Sequence, residues 1–216
     1  MISTRTFKIF TAFIAFTAVT ACKKDPIQYT FEGAVTESVN HAALNDVYVK
    51  ISQRIYNGSV ASAYYNTAGT YTTGSDGRYE IIFAREKVFE FKAEMTKAGY
   101  FGFEKVISSA DVSTDENEVI NTTLEPISWI TFHLENFAGL TEDELAMIHF
   151  NFRTGCTGCT TNSYYYYNGI VDTTFTIKTT GGIYTRYSYK NPDATYFIND
   201  SVYATPFDTA FVEIIY

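Results

Sequence analysis

Alternation with a period of two residues is the feature that most constrains this chain. In "VFEFKAEM" (88–95) Phe89, Phe91, Ala93 and Met95 fall on one side, and Glu90, Lys92 and Glu94 on the other. In "WITFHLEN" (129–136) Ile130, Phe132 and Leu134 alternate with Trp129, Thr131, His133 and Glu135. Successive strand side chains point to opposite faces, so both runs predict half-buried strands of an antiparallel sheet. Composition agrees, because the 18 Tyr and 18 Phe are strand-favouring types. The main helical signal is "LTEDELAMI" (140–148), where Thr141 and Glu144 form a capping box suited to one or two turns. The expected class is all-β, in two tandem antiparallel β-sandwich modules.

One turn can be read in more detail. Around "TTFTIKTTGGIYTRYSY", a two-residue Gly181-Gly182 loop would mix core and solvent faces across a hairpin. A three-residue loop, Thr180-Gly181-Gly182, keeps the faces consistent by setting Phe175 opposite Tyr187 and Lys178 opposite Tyr184. Gly182 would supply the left-handed residue of that loop.

The first residues suggest an address. Arg5 and Lys8 precede an uncharged run from Ile9 to Ala21. As a helix this run would reach only about 20 Å, short of the ~30 Å of a bilayer core, so it reads as a signal peptide over 1–21. Val19-Thr20-Ala21-Cys22 resembles the bacterial lipobox. That resemblance implies cleavage before Cys22 and acylation of it, with several chains giving stable anchoring. Residues 22–28 would then be the lipidated Cys and a tether of at most ~20 Å, holding the folded part near the membrane. The implied location is the outer membrane, lipid-anchored and facing the periplasm or the cell surface. Loss of Arg5 and Lys8 takes the formal charge from −8 to −10. With no basic stripe, this acidic chain is not expected to bind nucleic acid.

Residues 29–125 contain four short motifs in order. "FEGAVTESVNHAALNDVYVKI" places Gly33, Val35, Glu37, Leu44, Val47 and Val49 where carboxypeptidase regulatory-like domains have "G-x-V-x-(D/E)" and "L-x-x-V-x-V". "TTGSDGRYEI" is similar to that family's Asp-Gly turn and Tyr-bearing strand, with Asp76-Gly77 turning and Tyr79 and Ile81 inward. "KAGY" (97–100) and "INTTLEP" resemble its later turn and closing strand. The resemblance implies a transthyretin-like sandwich and a structural or interaction role. The connection "QRIYNGSVASAYYNTAGTY" is longer than the family's and is expected to extend a sheet edge or form a binding loop. Pro126 is a natural boundary, and 127–216 is expected to form a second β-sandwich of six or seven strands.

No catalytic constellation stands out. There is no G-x-S-x-G, and no Ser or Cys has a context that supplies a base. His133 and His149 fall on polar strand faces, where their rings would meet only if the two strands paired; His41 lies in a loop. No metal-ligand spacing is present, so no metal and no cofactor is expected. A structural calcium ion is the one exception considered, on Asp111, Asp115 and Glu118 of "ADVSTDENEV", a stretch that reads first as a solvated loop. Cys156 and Cys159 form a C-x-x-C between strand-like flanks. A redox pair would want a helix N-terminus and zinc a second ligand pair. In an oxidising compartment a disulfide clip is the leading reading, worth ~2 kcal/mol for so short a loop. Trp129, Tyr64, Tyr65, Tyr164, Tyr165, Tyr166 and Tyr167 are the candidate ligand platform, since exposed rings stack on sugars or proteins. Against this, alternate rings of a tyrosine strand face opposite sides. The expected activity is non-enzymatic: an envelope lipoprotein serving structure or protein interaction, with glycan capture as the alternative.

Overall fold

The computed structural model describes residues 27–136, 144–150, 164–190 and 195–215, and these fold entirely as strands, turns and loops. Nine strands come first: β1 (Gln28–Glu37), β2 (Tyr48–Asn57), β3 (Val60–Ala61), β4 (Asn66–Thr72), β5 (Arg78–Ala84), β6 (Val88–Thr96), β7 (Phe103–Ser108), β8 (Glu118–Val119) and β9 (Thr122–Leu124). They build two sheets. One has the order β5-β1-β8, with β9 also on β1; the other runs β3-β2-β6-β7, with β4 also on β2. The long connection after β2 therefore does extend a sheet edge, because β3 and β4 both pair with β2.

Between these sheets Phe31, Val35, Val49, Ile51, Phe91, Ala93 and Met95 are fully buried. Phe91 lies 5.1 Å from both Phe31 and Tyr29 between ring centroids. The Asp76-Gly77 turn forms as expected: Gly77 has φ +67°, Asp76 Oδ1 accepts from the Arg78 amide, and Tyr79 and Ile81 point inward. One alternation breaks. The β2–β6 register shifts between Arg54 and Ile55, leaving Phe89 as the extra residue of a bulge and 40 % exposed. Gly33 marks where β1 passes from β8 to β9. A side chain there would collide with the Ile120 carbonyl.

Seven more strands follow: β10 (Ile127–Asn136), β11 (Glu144–Phe150), β12 (Tyr164–Asn168), β13 (Val171–Thr180), β14 (Ile183–Lys190), β15 (Ile198–Ala204) and β16 (Thr209–Ile215). They form the sheets β13-β10-β16 and β12-β11-β14-β15. Their core holds Ile130, Phe132, Leu134, Met147, Ile177, Tyr187, Val212 and Ile214. The alternation of "WITFHLEN" is realised in full, with Ile130, Phe132 and Leu134 inward.

Three expectations are corrected. Residues 144–148, expected to close a short helix, are strand, because β11 pairs with both β12 and β14. The sheets are not purely antiparallel, since β1 pairs in parallel with β8 and β9, and β10 with β16. The turn at 180–182 closes no hairpin. Strand β13 pairs with β10, while β14 pairs with β11 and β15, so the chain crosses from one sheet to the other. Gly182 is left-handed at φ +82°, as the loop reading required. The amides of Gly181 and Gly182, however, donate to Pro126 and Ala204. The faces that would have matched in a hairpin match across the core instead: Thr179 and Thr185 hydroxyls meet at 2.9 Å.

Candidate functional site

Two places in the described residues gather functional groups: the outer face of β10, and the seam between the two cores. At the first, β10 carries His133 and Glu135 two residues apart, so both project from the same side. Register sets Glu213 of β16 opposite His133, and Asp172 of β13 opposite Glu135. His133 Nε2 lies 3.0 Å from Asp172 Oδ1, and its Nδ1 lies 3.5 Å from Glu213 Oε1. An ionised carboxylate only accepts, so Nε2 carries the hydrogen shared with Asp172. That hydrogen bond first, and then Glu213, raise the imidazole pKa above its ordinary value despite some burial. The Phe211 ring lies 6.3 Å from the imidazole.

Sequence reasoning singled out His133 but not its partners. They come from positions 39 and 80 residues later, joined only by register. The expected partner His149 lies on β11, in the other sheet, so the strands of His133 and His149 do not pair. His41 is an exposed turn residue with φ 58°. Among the described residues Asp111, Asp115 and Glu118 do not gather as a ligand cluster, whereas ligand atoms of His133, Glu135 and Glu213 lie within 4.8 Å of one another. Glu118 instead faces Lys105 at 4.0 Å.

The candidate ring platform is dispersed. Tyr64 is 78 % exposed, in the turn before β4. Its neighbour Tyr65 is tied down: its hydroxyl donates to Glu90, and Arg54 and Lys92 lie 5.7 and 5.1 Å from its ring centre. In β12, Tyr165 stacks on Phe175 at 4.7 Å and Tyr167 packs on the core. Burial raises the pKa of both phenols. Tyr166 points outward, 62 % exposed. Tyr164 belongs to the same strand. Trp129 is half-buried on the outer face of β10. A ring pair that the sequence did not single out is Tyr184 with Tyr203, opposite each other on β14 and β15 and 5.2 Å apart. Cys22, Cys156 and Cys159 lie outside the described residues.

The seam is built from backbone. The Phe101 amide donates to Glu125, Ile127 to Gly99, Gly181 to Pro126 and Phe207 to Ile127. Thr180 Oγ1 donates to Glu125 Oε2 at 2.9 Å. Tyr100 and Phe207 meet edge to face at 5.2 Å, and Lys178 Nζ sits 5.0 Å from the Phe101 ring centre. Glycine suits position 99 because its φ is +81°, and a side chain there would also press on the Phe207 ring at 3.2 Å.

No protein-family model matches the chain, and no curated protein matches it. Similar solved structures include a streptococcal ancillary pilin, at 12 % identity and a TM-score of 0.36 over 89 % of this chain. Another is the Bacillus anthracis TIE protein, at 10 % identity and 0.38 over 88 %. The shaft pilin SpaA from Lactobacillus rhamnosus GG matches at 11 % and 0.31 over 88 % of this chain and 97 % of its own. This chain spans 63 % of the ancillary pilin chain and 34 % of the TIE chain. At such scores the likenesses assign neither family nor activity.

Proposed function

We propose that the chain is a non-enzymatic envelope lipoprotein, anchored in the outer membrane through acylated Cys22, that holds a protein-binding surface at a fixed position above the bilayer. In this reading residues 29–125 are the carboxypeptidase regulatory-like, transthyretin-like module beside the tether, and 127–216 is the outer module. The observation that carries it is the seam. A free linker would leave the Glu125–Pro126 backbone to water, whereas here hydrogen bonds reach it from both sides. Such a joint transmits position, which is what a scaffold needs and a swinging domain lacks.

Photo-crosslinking in intact cells tests this, with the probe placed at exposed Tyr184 or, on the first module, at exposed Val106. The expected result is one discrete envelope protein captured from Tyr184, with Cys22→Ala releasing the chain from the membrane fraction and abolishing capture. Membrane retention of Cys22→Ala would overturn the anchor. Saturable glycan binding lost in Trp129→Ala would replace the protein partner with a sugar.

A further inference from the structure

The group on the outer face of β10 has a use that the scaffold reading does not call on. We propose that His133, Glu135 and Glu213 bind a divalent first-row transition cation of the zinc class, with Asp172 as the carboxylate that orients the imidazole. The ligand atoms of the three lie within 4.8 Å of one another on two hydrogen-bonded strands, β10 and β16, with Asp172 on the neighbouring β13.

The His133–Glu213 separation suits two ligands of one ion. At 3.5 Å, His133 Nδ1 and Glu213 Oε1 are beyond the usual N–H···O range. Two ligands held at ~2.0–2.1 Å in a tetrahedral shell stand about 3.4 Å apart. The imidazole is also already oriented. With Nε2–H donated to Asp172, the ring points Nδ1 at the Glu213 carboxylate, so a metal ion that displaces the Nδ1 proton would find a nitrogen and an oxygen ligand facing each other. A metal-bound histidine commonly donates its other N–H to a carboxylate, as His133 does to Asp172.

Charge points the same way. Asp172, Glu135 and Glu213 surround one imidazole, and among the described residues no Lys or Arg is ion-paired with any of them. Mixed imidazole and carboxylate donors suit zinc and its neighbours better than calcium or magnesium, which prefer an all-oxygen shell. Water would complete the coordination on the solvent side.

Equilibrium dialysis of the full chain in detergent, first stripped with chelator, against micromolar Zn²⁺ tests the site. Co²⁺ absorption reports nitrogen and oxygen coordination, and thermal unfolding confirms that each variant is folded. The expected uptake is one ion per chain, kept in a Cys156→Ser/Cys159→Ser double variant and in His41→Ala. Affinity should fall by roughly tenfold or more in His133→Ala and in the near-isosteric Glu213→Gln, and by about 10–100-fold in Asp172→Asn. No uptake by the parent chain would show an imidazole–carboxylate contact without metal affinity and would overturn the site. Undiminished uptake in His133→Ala and Glu213→Gln, or loss confined to the cysteine variant, would overturn it equally.

Discussion

In the first sandwich Phe31, Phe83, Phe91 and Tyr29 meet ring to ring, with Val35, Val49, Ile51 and Met95 closing round them. The second also has an aromatic centre, in which Phe132 stacks on Phe175 at 5.3 Å and meets Tyr187 edge-on. It buries more hydroxyls, however: Ser128, Thr179, Thr180, Thr185 and Ser188, against Ser52 and Thr73 in the first. Apolar contacts are forgiving of small shifts, whereas a buried hydroxyl costs free energy unless its partner is in place. Both modules draw on burial, and the second, with more such hydroxyls, depends more on register. Ser128 illustrates this, since its hydroxyl donates to the Thr205 carbonyl across the loop before β16.

The largest expected effect is a core truncation that tests whether these are two units at all. Phe91→Ala and Phe132→Ala should each cost about 3–5 kcal/mol, because both rings are fully buried. Trp129, the single tryptophan, lies in the second sandwich and reports on it alone. In urea, Phe132→Ala should lower the midpoint seen by Trp129 fluorescence. Phe91→Ala should instead lower an earlier transition seen by far-ultraviolet circular dichroism. One shared transition that both variants move equally would erase the distinction between the cores.

A smaller effect probes the buried hydroxyls. Thr179 and Thr185 face each other from opposite sheets at 2.9 Å. Thr179→Val alone leaves the Thr185 hydroxyl buried without this partner, at about 1–3 kcal/mol, whereas changing both to Val should be close to neutral. Calorimetry on the four chains of this cycle measures the coupling. Additive losses would mean that the pair contributes nothing as a pair, and the contrast with the first core would weaken.

The same pair explains why part of this fold was legible in the sequence and part was not. Alternation in 88–95 and 129–136 located β6 and β10 and nearly all of their inward residues. It failed at Phe89, because a bulge is set by the partner strand and leaves no mark on its own. For β13 and β14 alternation gave the right faces and the wrong relation. Two strands with matched inward faces can lie side by side in one sheet or face each other across a core. Gly181-Gly182 permits both, and only β10, β11 and β15 decide between them. The helical reading of 140–148 was likewise outvoted by two flanking strands over its described part, 144–148; Thr141 lies outside the described residues. His133 could be seen as an outward histidine, but Asp172 and Glu213 reach it through ladders that no local pattern encodes.

The smallest effect concerns charge on the first sandwich, where β2 and β6 carry an ion-pair ladder on their outer face. Lys50 and Lys92 lie 3.0 and 3.2 Å from the Glu94 carboxylate. Burial alone would push Glu94 upward, but hydrogen bonds from Lys50 and Lys92 outweigh it and hold its pKa below the usual carboxylate range. A depressed folded-state pKa adds stability above the unfolded-state value, and that contribution disappears as pH falls through the folded value. The midpoint of the first transition should therefore drop on acidification, and Glu94→Gln should flatten that part of the curve by removing the titrating group. The Trp129 transition should keep its own pH dependence unchanged in the variant, since Glu94 makes its ion pairs within the first sheet pair. A Glu94→Gln chain that shifts both transitions alike would show that charge on one sandwich is felt by the other through the hydrogen-bonded seam at Glu125 and Pro126.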